Sequence, residues 1–164
     1  MIPSHIESLT DKLKEANANI EIYDNYIITN KSDNLKPINV FTKGYPGFAT
    51  DLQQPLTALL TQCDGESTLT ENIYENRFNN VEYLNKMGSN IEIDNRTIHI
   101  YGKTKLLGTN VKATDLRAGA CMVIAGLIAE GKTEVDDIEH VLRGYENIIE
   151  KLSNVGAKIE YQEI

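Results

Sequence analysis

The chain has 164 residues, 41% of them apolar and 24% charged, and a formal net charge of -8. That length allows one domain, or two small lobes, around a real hydrophobic core. The acidic balance excludes a general nucleic-acid binder, which needs a basic stripe to neutralise phosphates. It leaves room for a small anionic substrate gripped by a few local arginines.

The N-terminus, MIPSHIESLTDKL, has neither the basic start nor the apolar run of a signal peptide. Helical spacing begins with Ile6, Leu9, Leu13 and Ala16, and Ser4 with Glu7 reads as a capping box. The segment Leu9 to Ile22 then recurs twice, as Asn80 to Ile93 and as Ile148 to Tyr161. Leu13, Leu84 and Leu152 align, as do Ile20, Ile91 and Ile159, at offsets of 71 and 68 residues. Offsets of that length suit a duplicated supersecondary unit rather than a solenoid.

Each copy predicts an amphipathic helix, a turn and a strand with one face covered. Gly88 and Gly156 stand where a left-handed residue would end the helix, and Asn17 fills that place in the first copy. In the third copy Tyr145, Ile148, Ile149, Leu152 and Val155 share one helical face. A second kind of helix is apolar nearly all round, at Leu56 to Leu60 and Ala118 to Ala129, and belongs inside a core. The latter is too short to span a bilayer. Each follows the same tripeptide, Thr50-Asp51-Leu52 or Thr114-Asp115-Leu116. The implied unit is a buried helix, a strand, an amphipathic helix and a strand pair. The buried helix precedes two of the three repeats, which divide the chain at about 1–40, 41–105 and 106–164, and without a flexible linker one compact body is expected.

Pro55 fits only the first turn of its helix, so Asp51 falls in the turn before it. An N-cap is the ordinary role for such an aspartate, and a carboxylate at the mouth of a site, available as a general base, is the functional one. Asp115 faces the same choice. Arginine is scarce: Arg77, Arg96, Arg117 and Arg143. Arg96 reads as a hairpin-turn residue. The other three are either solvated surface residues or a set converging on an anion, and Arg117 and Arg143 both read as lying near helix starts. His5, His99 and His140 are scattered, and neither a Walker nor a Rossmann loop is present. Cys63 and Cys121 lie in apolar stretches outside any zinc motif, so buried, reduced thiols and a cytoplasmic compartment are expected.

Four motifs occur in order: Gly47 to Gln53 (GFATDLQ), Thr70 to Phe78 (TENIYENRF), Ala113 to Ala118 (ATDLRA) and Arg143 to Glu146 (RGYE). Together they resemble the UDP-N-acetylglucosamine 1-carboxyvinyltransferase family along essentially the whole chain. The resemblance implies an α/β fold, an inside-out α/β barrel of repeated β-α-β-α-β-β units with buried helices. It implies transfer of the enolpyruvyl group of phosphoenolpyruvate to the 3-hydroxyl of UDP-N-acetylglucosamine, in peptidoglycan precursor synthesis, with no cofactor and no metal. By the same matching Asp51 contacts the substrate hydroxyl and moves a proton, and the backbone at Ile73 meets the sugar nucleotide. Arg117 and Arg143 neutralise phosphoenolpyruvate, and Arg77 and Asp115 line the cleft.

The family's lysine-asparagine pair and its cysteine-bearing loop, which belong to another lobe, do not occur here, and neither Cys63 nor Cys121 matches that loop. Negligible turnover is therefore expected of these residues alone, with the N-terminal lobe as their missing partner. Competing expectations are the shikimate-pathway enolpyruvyl transferase and a non-catalytic truncated lobe.

Overall fold

A computed structural model describes residues 1–162. Its middle stretch holds the fullest set of elements: β3 (Asn39–Phe41), α2 (Gln53–Leu60), β4 (Gly65–Thr70), α3 (Asn80–Lys86), β5 (Ile91–Asp94) and β6 (Thr97–Gly102). Before it come α1 (Glu7–Glu15), β1 (Ile20–Ile22) and β2 (Ile27–Thr29). After it come β7 (Asn110–Lys112), α4 (Leu116–Ile128), β8 (Glu134–Asp136), α5 (Glu139–Leu142) and α6 (Ile148–Asn154).

The middle sheet has the order β3-β4-β6-β5. Strands β3 and β4 run parallel because α2 carries the chain back between them, whereas β5 and β6 are joined by a tight turn and pair antiparallel. Asn95 at that turn has a φ of 52°, a left-handed conformation that asparagine tolerates. Val40 stands opposite Leu69, and Leu69 opposite Ile98, so these buried side chains share one face. Glu66 and His99 point the other way, joined at 2.7 Å on the solvent side. The same parallel arrangement recurs where β8 pairs with β7 across α4.

The buried face rests on α2 and α3, and α2 packs in turn against α4, which carries β7 and β8. Leu56, Ala58 and Leu60 from α2 and Ala118, Cys121, Met122 and Ala125 from α4 are all buried. The low amphipathicity of both helices in the sequence follows from this position: each is covered on more than one side. Gly119 lets α4 pass close to its neighbours, since a Cβ there would collide with Val141 of α5 and Ala113. The fold is thus α/β, with α2 and α4 packed together in the core. No sheet closes on itself among the described residues, and no helix among them is long and apolar enough to cross a membrane.

Asn17, Gly88 and Gly156 all adopt positive φ at the ends of α1, α3 and α6. Three local expectations fail. Ser4 caps nothing: Pro3–Ile6 form a 3-10 turn with proline at its start, and α1 begins directly from it. The third amphipathic helix is shorter than its apolar spacing suggests. Asn147, at φ 49°, separates α6 from Tyr145, and Val155 is 81% exposed. Ile159-Glu160-Tyr161 forms no strand. In the middle stretch β5 is held by the returning β6, and no strand among the described residues plays that part for 159–161.

Candidate active site

The two Thr-Asp-Leu turns meet. Thr50–Leu52 form a 3-10 turn that leads straight into α2, with Pro55 in the first turn of the α-helix. Asp51 therefore lies ahead of the helix and does not cap it. Its Oδ1 accepts a hydrogen bond from Nε of Arg117, in the first turn of α4, at 2.6 Å. This one contact brings the starts of the two buried helices to a common edge.

Arg77 joins from the loop after β4. Its Nη1 lies 3.5 Å from Asp51 Oδ1 and donates to Oγ1 of Thr50 at 2.8 Å, while the guanidinium sits over the Tyr74 ring, 4.4 Å from its centroid. Both arginines thus engage the same oxygen, and no donor among the described residues engages Oδ2. The Asp51 side chain is 62% exposed, so that second oxygen is open to a ligand hydroxyl. The hydrogen bond from Arg117 holds the Asp51 acid below the usual carboxylate range, against the opposing effect of burial. Arg117 is raised in turn by Asp51. At neutral pH the cluster is an anion between two cations.

Asp115 takes the capping role. Its Oδ1 accepts from the backbone N–H of Arg117 (2.7 Å) and Ala118 (2.9 Å), and its Oδ2 from Asn79 (2.9 Å). Burial pushes its acid up, but the bonds from Asn79, Ala118 and Arg117 outweigh it and leave the acid below its ordinary range. By fixing the first turn of α4, Asp115 also fixes where Arg117 projects.

Arg143 is exposed and forms the C-cap of α5, so it does not lie at a helix start. A cation there is favoured by the carbonyl end of the helix dipole. Its neighbour Gly144 packs on Leu116, the first residue of α4, which brings the segment to the same edge of the molecule. No hydrogen bond or ion pair among the described residues joins Arg143 to Asp51. Tyr145 is closer to the pair: burial raises its phenol, and the charges of Arg117 and Asp51 act on it in opposite directions.

Ile73 is 43% exposed, and its N–H donates to Oε1 of Glu71 at 2.8 Å. Glu71 is the residue that sequence patterns missed. It is 1% exposed, yet it is bonded to Thr42, Thr50, Ile73 and Tyr74. Its only signal was an acid directly after a strand, inside the TENIYENRF motif. Cys63 and Cys121 are buried free thiols, and burial pushes Cys121 up to about 12, so it is inert as a nucleophile. Among the described residues no group of three or more His, Cys, Asp or Glu is placed to hold a metal. An open groove of about 830 Å³ between α4, β8, α6 and residues 158–162 includes none of the Asp51 cluster.

Comparison with known proteins gives consistent likenesses. A family model described as EPSP synthase (3-phosphoshikimate 1-carboxyvinyltransferase) matches residues 2–152. The chain is 50% identical over 159 residues to a UDP-N-acetylglucosamine 1-carboxyvinyltransferase 2 of Geobacillus kaustophilus, covering 97% of this chain and 37% of that protein. It is 49% identical over 160 residues to the protein of the same name in Bacillus subtilis, again covering 97% and 37%. The chain therefore spans little more than a third of the length of these relatives. Among solved structures it is similar to the enolpyruvyl transferase NikO of Streptomyces tendae, with a TM-score of 0.86 at 25% identity over 94% of this chain and 36% of that one. An EPSP synthase from Acinetobacter baumannii matches in fold alone, with a TM-score of 0.57 at 17% identity over 79% of this chain and 31% of that one.

Proposed function

This chain belongs to the EPSP synthase (3-phosphoshikimate 1-carboxyvinyltransferase) family, and we propose that it carries one side of the active site of a UDP-N-acetylglucosamine enolpyruvyl transferase. The observation that carries the reading is the Asp51 carboxylate held by Arg117 and Arg77 where two buried helices begin. The names and identities of the relatives supply the substrates.

In the proposed reaction the sugar 3-hydroxyl adds to C2 of phosphoenolpyruvate, while C3 gains a proton from an acid on the other side of the cleft. The C2–O bond to phosphate then breaks, C3 loses a proton, and the enol ether and inorganic phosphate remain. Asp51 is ionised, with one oxygen steadied by arginine and the other open, so it can take the hydroxyl proton as the new C–O bond forms. Arg117, with Arg143 on the adjoining segment, offers cationic neighbours for the carboxylate and phosphate of phosphoenolpyruvate. The Ile73 backbone would meet the sugar nucleotide, and Arg77 and Asp115 would line the cleft. No cofactor or metal enters these steps.

The finer architecture in this reading is an inside-out barrel of three units, at about 1–40, 41–105 and 106–164. A second lobe supplies the lysine-asparagine pair and the general-acid cysteine. The setting is cytoplasmic peptidoglycan precursor synthesis.

The test is reconstitution with the remaining N-terminal part of the Bacillus subtilis relative. With both substrates present, phosphate release should be negligible from this chain alone and should appear on mixing the two pieces. Strong release from the chain alone, or none from a mixture shown to associate, refutes the proposal.

A further inference from the structure

Glu71 is almost completely buried, and burial alone would push its acid up. The hydrogen bonds from Thr50, Ile73, Tyr74 and Thr42 outweigh that and hold it below the usual carboxylate range. Desolvating a carboxylate is costly, and an apolar side chain of similar size would serve stability as well or better. What a carboxylate adds is the capacity to gather several donors at one point.

The donors come from three separate segments. Thr42, directly after β3, gives its hydroxyl to Oε1 at 2.9 Å and accepts the Asn72 N–H at 2.8 Å. The N–H groups of Ile73 and Tyr74, on the loop after β4, reach the same Oε1 at 2.8 and 3.1 Å. Thr50, the residue before Asp51, gives its hydroxyl to Oε2 at 2.7 Å. That hydroxyl, having donated its one proton to Glu71, can meet Arg77 only as an acceptor, and Arg77 Nη1 duly donates to it at 2.8 Å. A continuous path therefore runs from Glu71 through Thr50 and Arg77 to Asp51.

We infer that Glu71 is a positioning residue for the sugar-nucleotide side of the site. It commits the Ile73 N–H inward, so that a ligand meets the Ile73 carbonyl, an acceptor for a ligand N–H or O–H, and through Thr50 it sets Arg77 against Asp51. The inference rests on the proposed function for the identity of the ligand but not for the geometry, so the two are tested separately.

The first arm uses the full ¹⁵N-labelled chain without ligand. Glu71→Gln keeps an oxygen for the Ile73 and Tyr74 amides but removes its charge, and should speed their hydrogen exchange by about tenfold, the difference between a charge-assisted and a neutral hydrogen bond. The amides of Ile98 and Ile100 in the core sheet should stay unchanged. In the second arm UDP-N-acetylglucosamine is titrated into wild type, Glu71→Gln, Thr50→Val and Leu84→Ala. The first two variants should bind about tenfold more weakly. Leu84→Ala, which loosens the core away from the site, should bind as wild type does, separating positioning from stability. Unchanged exchange at Ile73 and Tyr74 overturns the inference. So does altered exchange with unchanged affinity, since Glu71 then holds a loop that the ligand does not use. If wild type fails to bind UDP-N-acetylglucosamine, the proposed function falls and the exchange arm alone decides the role of Glu71.

Discussion

Asp51→Asn should lower turnover of the reconstituted enzyme by about 10²–10⁴-fold, the usual contribution of a positioned proton acceptor. Asparagine keeps an oxygen for Arg117 Nε, so the contact between the starts of α2 and α4 survives while the negative charge and the proton-accepting oxygen are lost. The effect should therefore fall on kcat, with the KM for both substrates changing far less. Single-turnover phosphate release measures it. If the variant turned over at the wild-type rate, Asp51 would be a structural partner of Arg117 and not a proton acceptor.

Leu60→Ala should destabilise the chain by about 2–5 kcal/mol, the range for truncating a fully buried leucine. Leu60 is 0% exposed at the end of α2, whose packing against α4 supports the sheets on both sides. The urea midpoint, followed by far-ultraviolet circular dichroism, should fall accordingly. Since α2 also carries the Asp51 turn at its other end, ligand affinity should weaken only when the chain begins to unfold. A midpoint equal to that of wild type would mean that α2 and α4 do not form a shared core.

Much of this architecture was legible in the amino-acid pattern because its signals are local and periodic. Leu56–Leu60 and Ala118–Ala129 are apolar nearly all round, the pattern of a helix packed on more than one side. Asn17 in place of glycine supports the repeat that the aligned leucines and isoleucines define, because few residues tolerate the left-handed conformation these positions require. The Asp51–Arg117 contact joins residues 66 positions apart. The resemblance put both residues in one substrate site, but no local pattern pairs them.

What was missed depends on partners that local pattern cannot name. A strand is stable only beside another strand, so the alternation at Ile159-Glu160-Tyr161 predicts one that its surroundings do not complete. The apolar stripe from Tyr145 to Val155 could not show that Asn147 would turn left-handed and split it. Arg143 was read at a helix start, whereas it ends the short α5. Glu71 was missed because a buried acid is recognisable only once its donors, drawn from residues 42, 50, 73 and 74, are seen together.

The central claim, that the Asp51 edge is the sugar-nucleotide side of an enolpyruvyl transfer site, is tested most directly by mapping ligands onto the chain by nuclear magnetic resonance. UDP-N-acetylglucosamine should shift the backbone signals of Asp51, Ile73 and Tyr74 and the Arg117 side-chain Nε signal, and shikimate 3-phosphate should leave them in place. Shifts confined to the groove between α4, β8 and α6, or the same response to shikimate 3-phosphate, would contradict it.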